Sequence, residues 1–183
     1  MKRILLGLVV GITTVVFNSA VVFAEPISEH TCAVKSDGIN VIVETLETEN
    51  IENDTKNSIC EFDVTETVCA EEDISPRKLI DLSDYNVTID WTLKPSKIHL
   101  NASTLKTNSK EINVSIKADP KTSLTVYLYN ASDSSELASA TDTVGTTLSK
   151  NFKFTNLTAA RTYRIGIMTH EQFESTISGK ITD

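Results

Sequence analysis

Glycine is scarce in this chain of 183 residues: there are six, alongside four prolines, three cysteines, three histidines and a single tryptophan. Each scarcity excludes something. Six scattered glycines give no material for a glycine-rich loop that could cradle phosphate. His30, His99 and His170 lie far apart, and none stands in a His-x-x-x-His spacing. A zinc site needs about four ligands at recognisable intervals, and His30 beside Cys32 does not supply them. Calcium loops alternate Asp and Asn around a Gly; Asp37-Gly38 alone does not meet that pattern. No Gly-x-Ser-x-Gly elbow occurs. The expectation is a protein without catalytic machinery, metal or cofactor.

Basic residues are scarce in one region. Residues 25–84 hold sixteen Asp and Glu against four Lys and Arg, whereas residues 85–183 hold nine against eleven. Phosphate would be repelled by the first region, so nucleic acid is not an expected partner. An acidic, solvated surface is the plain interpretation, and it extends to the Glu71-Glu72-Asp73 triplet. The change of character near residue 84 marks an expected boundary between a 25–84 segment and an 85–183 domain.

The start of the chain has the parts of a secretory signal: Met1-Lys2-Arg3, the apolar Ile4–Val10 run, and small residues before a cut. Val22 and Ala24 occupy the −3 and −1 places if cleavage falls before Glu25. A membrane anchor is the rival. Thr13, Thr14, Asn18 and Ser19 weaken the run, and no charged stop follows it. The expectation is therefore a 1–24 signal peptide, removed after Ala24, and a secreted protein with no membrane span thereafter. Export permits disulfides. Three cysteines are an odd number, so at least one thiol stays over or pairs between chains. Cys60 and Cys69 are candidates for closing a hairpin, which leaves Cys32 as the candidate free thiol; Cys32 paired with either is the alternative. Six Asn-x-Ser/Thr triplets, at Asn53, Asn86, Asn101, Asn113, Asn130 and Asn156, are equally explained by the abundance of Asn, Ser and Thr.

What the chain has in plenty is two-residue alternation, the mark of strands with one buried face. Tyr85, Val87, Ile89, Trp91 and Leu93 alternate with Asn86, Thr88, Asp90 and Thr92. The pattern recurs at Ile98–Ala102, Ile112–Ala118, Leu124–Leu128, Phe152–Phe154, Tyr163–Ile167 and Ile177–Ile181, with a weaker edge strand at Glu136–Val144. Seven or eight short, evenly spaced strands predict an all-β antiparallel sandwich, immunoglobulin-like or jelly-roll-like. A small acidic, cysteine-containing segment of β or irregular structure is expected before it. In that segment Ile39–Val43 and Ser58–Val64 read as strands, with Cys60, Phe62 and Val64 on one face. Glu44–Asn57 reads as a loop, and Leu79, Ile80 and Leu82 as one short helical turn. So small and charged a region needs a staple or a neighbour to fold against.

The run Phe152–Ile165 resembles the E–F corner of fibronectin type III domains, where a Leu precedes the Tyr that opens strand F by six positions. Leu157 and Tyr163 have that spacing, and Ala159 stands where the family has Pro. The resemblance implies a tyrosine corner. Val126-Tyr127-Leu128-Tyr129 and Tyr163-Arg164-Ile165-Gly166-Ile167 also resemble strands of the jelly-roll domains at the C-termini of secreted bacterial peptidases. Both resemblances cover about the last hundred residues. Both imply an accessory binding or spacer role, with extracellular protein or envelope polysaccharide as partner.

Tyr127 and Tyr129 are the candidate ligand-binding residues. They share one face of a strand, opposite Leu124, Val126 and Leu128. If that face is open, the pair offers a stacking platform for a sugar or a peptide; if the strand is packed on both faces, or the tyrosines lie under a neighbouring loop, they are structural. An enzyme would instead need His99 or His170 beside a carboxylate and a hydroxyl.

Overall fold

The computed structural model describes residues 30–31, 38–46, 57–60, 63–65 and 78–183. These described residues form fourteen strands, given in chain order. The first five are β1 (His30–Thr31), β2 (Asn40–Leu46), β3 (Asn57–Cys60), β4 (Asp63–Thr65) and β5 (Leu79–Asp81). Then come β6 (Tyr85–Leu93), β7 (Ile98–Asn101), β8 (Thr104–Lys106), β9 (Ile112–Asp119) and β10 (Thr122–Asn130). The last four are β11 (Glu136–Val144), β12 (Ser149–Thr155), β13 (Tyr163–Thr169) and β14 (Ser175–Thr182). They form two sheets, ordered β1-β2-β12-β9-β14-β6-β3 and β11-β10-β13-β7-β4; β5 pairs with β8, and β8 with β13. The fold is an all-β sandwich.

The pairings are nested. β10 pairs with β11, β9 with β12, β7 with β13 and β6 with β14, all antiparallel. This is one long hairpin of four pairs, rolled so that alternate pairs fall in opposite sheets. The roll is closed by β14 against β9 and by β10 against β13. Nesting of this kind makes a jelly roll. The immunoglobulin arrangement keeps its last two strands in one sheet. Here β13 and β14 lie in different sheets.

The alternation explains the core. Val114, Ile116, Phe152, Phe154, Ile165 and Ile167 are fully buried and belong to one cluster, which Trp91 also joins. Their alternating neighbours Asn113, Ser115, Asn151 and Lys153 point to the wet face, where Ser115 Oγ donates to Asn151 Oδ1 at 3.2 Å. Gly179 permits the close approach of β14 to β9. A Cβ there would stand 1.9 Å from the Ser115 carbonyl oxygen.

The acidic segment contributes to the same body. β2 lies against β12 in full register, from Ser149–Leu46 to Thr155–Asn40. Ile39, Val41, Val43, Ile80 and Leu82 are buried in the cluster that holds the sandwich core. Three local expectations need correction. Ser58–Val64 is not one strand: β3 runs parallel to β6 in one sheet, and β4 runs antiparallel to β7 in the other. Each piece completes a different sheet's open edge, and edge pairing prevails over local alternation. Leu79–Leu82 is not a helical turn. β5 runs parallel to β8, with Thr104 N–H donating to the Lys78 carbonyl and Leu82 N–H to the Lys106 carbonyl, both at 2.8 Å. A helical turn would leave those β8 groups unpaired. Both ends of the expected Glu44–Asn57 loop are strand, since β2 continues to Leu46 and β3 begins at Asn57; residues 47–56 lie outside the described residues.

The expected 1–24 signal peptide, Cys32, Cys69, Asn53 and the Glu71-Glu72-Asp73 triplet lie outside the described residues. So the Cys60–Cys69 pairing and the Cys32 thiol are not addressed by the fold. Among the described residues, no helix is long and apolar enough to cross a membrane.

Candidate functional site

Tyr127 and Tyr129 project from β10, which lies between β11 and β13. Leu124, Val126 and Leu128 alternate with them and fill the core, so the tyrosines stand on the outer face of their sheet. Their rings stack, with centroids 5.9 Å apart and planes 27° from parallel. Both residues are half-buried: neither lost in packing nor fully presented.

The outer face around them can be read from the register. Tyr127 stands opposite Ser139 on β11 and Gly166 on β13, and Tyr129 opposite Glu136 and Arg164. Gly166 is buried, and its missing side chain matters. A Cβ there would lie 2.8 Å from Tyr129 Cε2, 3.0 Å from Leu100 Cδ2 and 3.1 Å from Ile98 Cγ2. The Tyr129 ring therefore leans diagonally across β13, over Gly166, toward two aliphatic side chains of β7. Sequence reasoning missed this contribution. A glycine inside an alternating strand was the signal available, since such glycines often mark a close approach.

Polar groups border the aromatic pair. Ser139 Oγ donates to Glu136 Oε1 at 3.0 Å. Farther along the face, Thr125 Oγ1 lies 2.6 Å from both Thr141 Oγ1 and His170 Nε2. His170 thus meets a hydroxyl, one of the neighbours an enzyme would require. That hydroxyl belongs to a buried threonine, however, and the adjacent Glu171 carboxylate accepts the Ser123 N–H at 3.1 Å.

Other candidate chemistry is engaged in structure. His99 is fully buried, and its Nε2 accepts the Lys94 N–H at 2.9 Å. Arg164 is buried and donates through Nε and Nη2 to the Asn101 carbonyl at 3.1 and 3.0 Å. The Asn101 side chain accepts the Ile165 N–H at 2.7 Å and donates to the Ser103 carbonyl at 2.7 Å. Asn86 and Asn101 are fully buried, so neither triplet is open to a glycan. Ser103-Thr104-Leu105-Lys106 has the Ser-x-x-Lys spacing. Ser103 lies in the bend before β8, and Lys106 Nζ lies 3.5 Å from Asp81 Oδ2. No group of three or more potential metal ligands occurs among the described residues.

Tyr163 opens β13 with its hydroxyl held by the backbone of the preceding corner. Thr158 N–H donates to Tyr163 Oη at 2.8 Å, and the hydroxyl donates to the Thr158 carbonyl at 2.9 Å. Leu157 is buried beneath the same corner. No protein-family model matches the chain, and no curated protein matches it either.

Proposed function

We propose that this chain is an exported, non-catalytic jelly-roll module that acts outside the cell as an accessory or interaction domain. The observation that carries it is the division of labour among side chains. Buried polar groups such as Asn101, Arg164, His99 and Tyr163 hold strands and corners together. The one stacked aromatic pair among the described residues stands on an outer face. Residues assigned to structure leave recognition as the work of the surface. Export through residues 1–24 directs the module to extracellular protein or envelope polysaccharide, and its acidic N-terminal segment disfavours nucleic acid.

A second reading is favoured by that same pair: a carbohydrate-binding module in which Tyr127 and Tyr129 stack on sugar rings. Half-buried tyrosines combine an apolar face with a polar tip, as sugar recognition requires. Both readings are tested by applying residues 25–183 to a glycan array and to an envelope-fraction pull-down. Selective glycan retention, reduced in Tyr127→Ala, supports the second. A protein partner that is retained equally by Tyr127→Ala supports the first. Turnover of a captured substrate would overturn both.

A further inference from the structure

We infer that Gly166 is a positioning residue for a saccharide-stacking face made by Tyr127 and Tyr129, with an uncharged pyranose chain lying along β10. The inference rests on the carbohydrate reading above and adds to it a residue that touches no ligand. Glycine weakens a central strand, because it brings no side chain to pack and restricts the backbone least. A left-handed backbone would justify it, but Gly38 is the only glycine with positive φ among the described residues. Space is the remaining reason. Ring, leucine and isoleucine atoms crowd to within 2.8–3.1 Å of where a Cβ would stand. Removing that carbon lets the Tyr129 ring lean over β13 and stack at 5.9 Å on Tyr127.

The chemistry of the border selects the ligand class. Ser139 and Thr141 on β11 carry hydroxyls at the accessible border of this face, matched to sugar hydroxyls, while the Thr125 hydroxyl between them and β13 is buried and held by Thr141 and His170. Glu136, opposite Tyr129, places a carboxylate beside the rings and disfavours an acidic polymer. Arg164, the cation on this side, is buried and bonded to the Asn101 carbonyl.

The test uses residues 25–183 with cellohexaose, laminarihexaose and chitohexaose as probes, together with tyrosine near-ultraviolet circular dichroism. Gly166→Ala should weaken binding of whichever hexasaccharide is held by roughly tenfold, about the worth of one aromatic contact. It should also alter the tyrosine dichroism that the stacked pair produces. In a Tyr129→Ala background the same substitution should change affinity by less than about twofold, because the clash has lost its partner. If Gly166→Ala fails to fold while Gly166→Ala/Tyr129→Ala folds, the clash is with Tyr129 and the positioning role stands. An unchanged affinity and dichroism in Gly166→Ala, or an equal loss in both backgrounds, would overturn it. Failure of the wild-type protein to bind any of the three probes would overturn the saccharide assignment, and the dichroism comparison would still decide whether Gly166 positions the rings.

Discussion

Tyr163 shows how much one oxygen atom can hold. Its ring is buried in the core, while its hydroxyl both accepts from and donates to the Thr158 backbone. Phenylalanine would keep the packing and lose both bonds, stranding a part-buried N–H and C=O. Tyr163→Phe should therefore cost about 1–3 kcal/mol, read as a lower urea midpoint with unchanged m-value. A midpoint equal to wild type would mean the corner is held by its apolar contacts alone. Lys150 shows the same economy on a charged group. It faces inward from β12, largely buried, with Nζ 2.9 Å from Thr45 Oγ1 and 3.0 Å from Asp142 Oδ2. That pair links β12, β2 and β11 where the two sheets meet. An inward-facing charge also discourages β11, the edge strand of its sheet, from pairing with another chain.

Between elements, the turn after β5 is pinned by Asp81. The Ser83 hydroxyl donates to Asp81 Oδ1, as does the Ser83 N–H at 3.0 Å. These bonds, with a smaller effect of Lys106, hold the Asp81 carboxyl below its ordinary value of 3.8. A depressed carboxyl stabilises the fold above its unfolded pKa, and that stabilisation is lost as pH falls through the folded value. Asp81→Asn should therefore lower the urea midpoint at pH 6, and its difference from wild type should shrink below about pH 3.8. Carbon-detected NMR titration of the Asp81 carboxyl provides the direct check. A midpoint above the ordinary aspartate value would refute the assignment of these bonds. Similar bonds from Ser135 lower the Asp133 carboxyl in the β10–β11 turn.

At the scale of the whole fold, the described strands form a jelly roll whose open edges are bordered by strands of the acidic segment. β2 borders β12, β3 borders β6, and β4 borders β7. Ile39, Val41, Val43, Ile80 and Leu82 are buried in the common core. At about 1.5–3 kcal/mol for each buried side chain, losing five removes roughly 7.5–15 kcal/mol, comparable to the usual whole-domain margin of roughly 5–15 kcal/mol. Residues 85–183 expressed alone should then lack a cooperative thermal transition, whereas residues 25–183 should show one. A sharp transition from the shorter chain would mean that the roll closes without its border strands. β12 would in that case expose its edge beside Phe152 and Phe154 and favour aggregation.

Strand identity from Tyr85 onward was legible in the order of residues, because a period of two permits each apolar side chain one face. Trp91, Phe152 and Ile165 are buried where alternation puts them. Tyr127 and Tyr129 were likewise assigned a shared face, and their leaning over Gly166 was not. That depends on β13 lying beside β10, a contact between residues about forty apart in the chain. Local alternation was a poor guide at Ser58–Val64 and Leu79–Leu82 for a related reason. Their conformations follow the free hydrogen-bonding edges of β6, β7 and β8, and an edge exists only once the sheets have formed. Side-chain periodicity is a local property of the chain. The nesting of strands, the completion of edges and the space above Gly166 arise from pairings between distant segments.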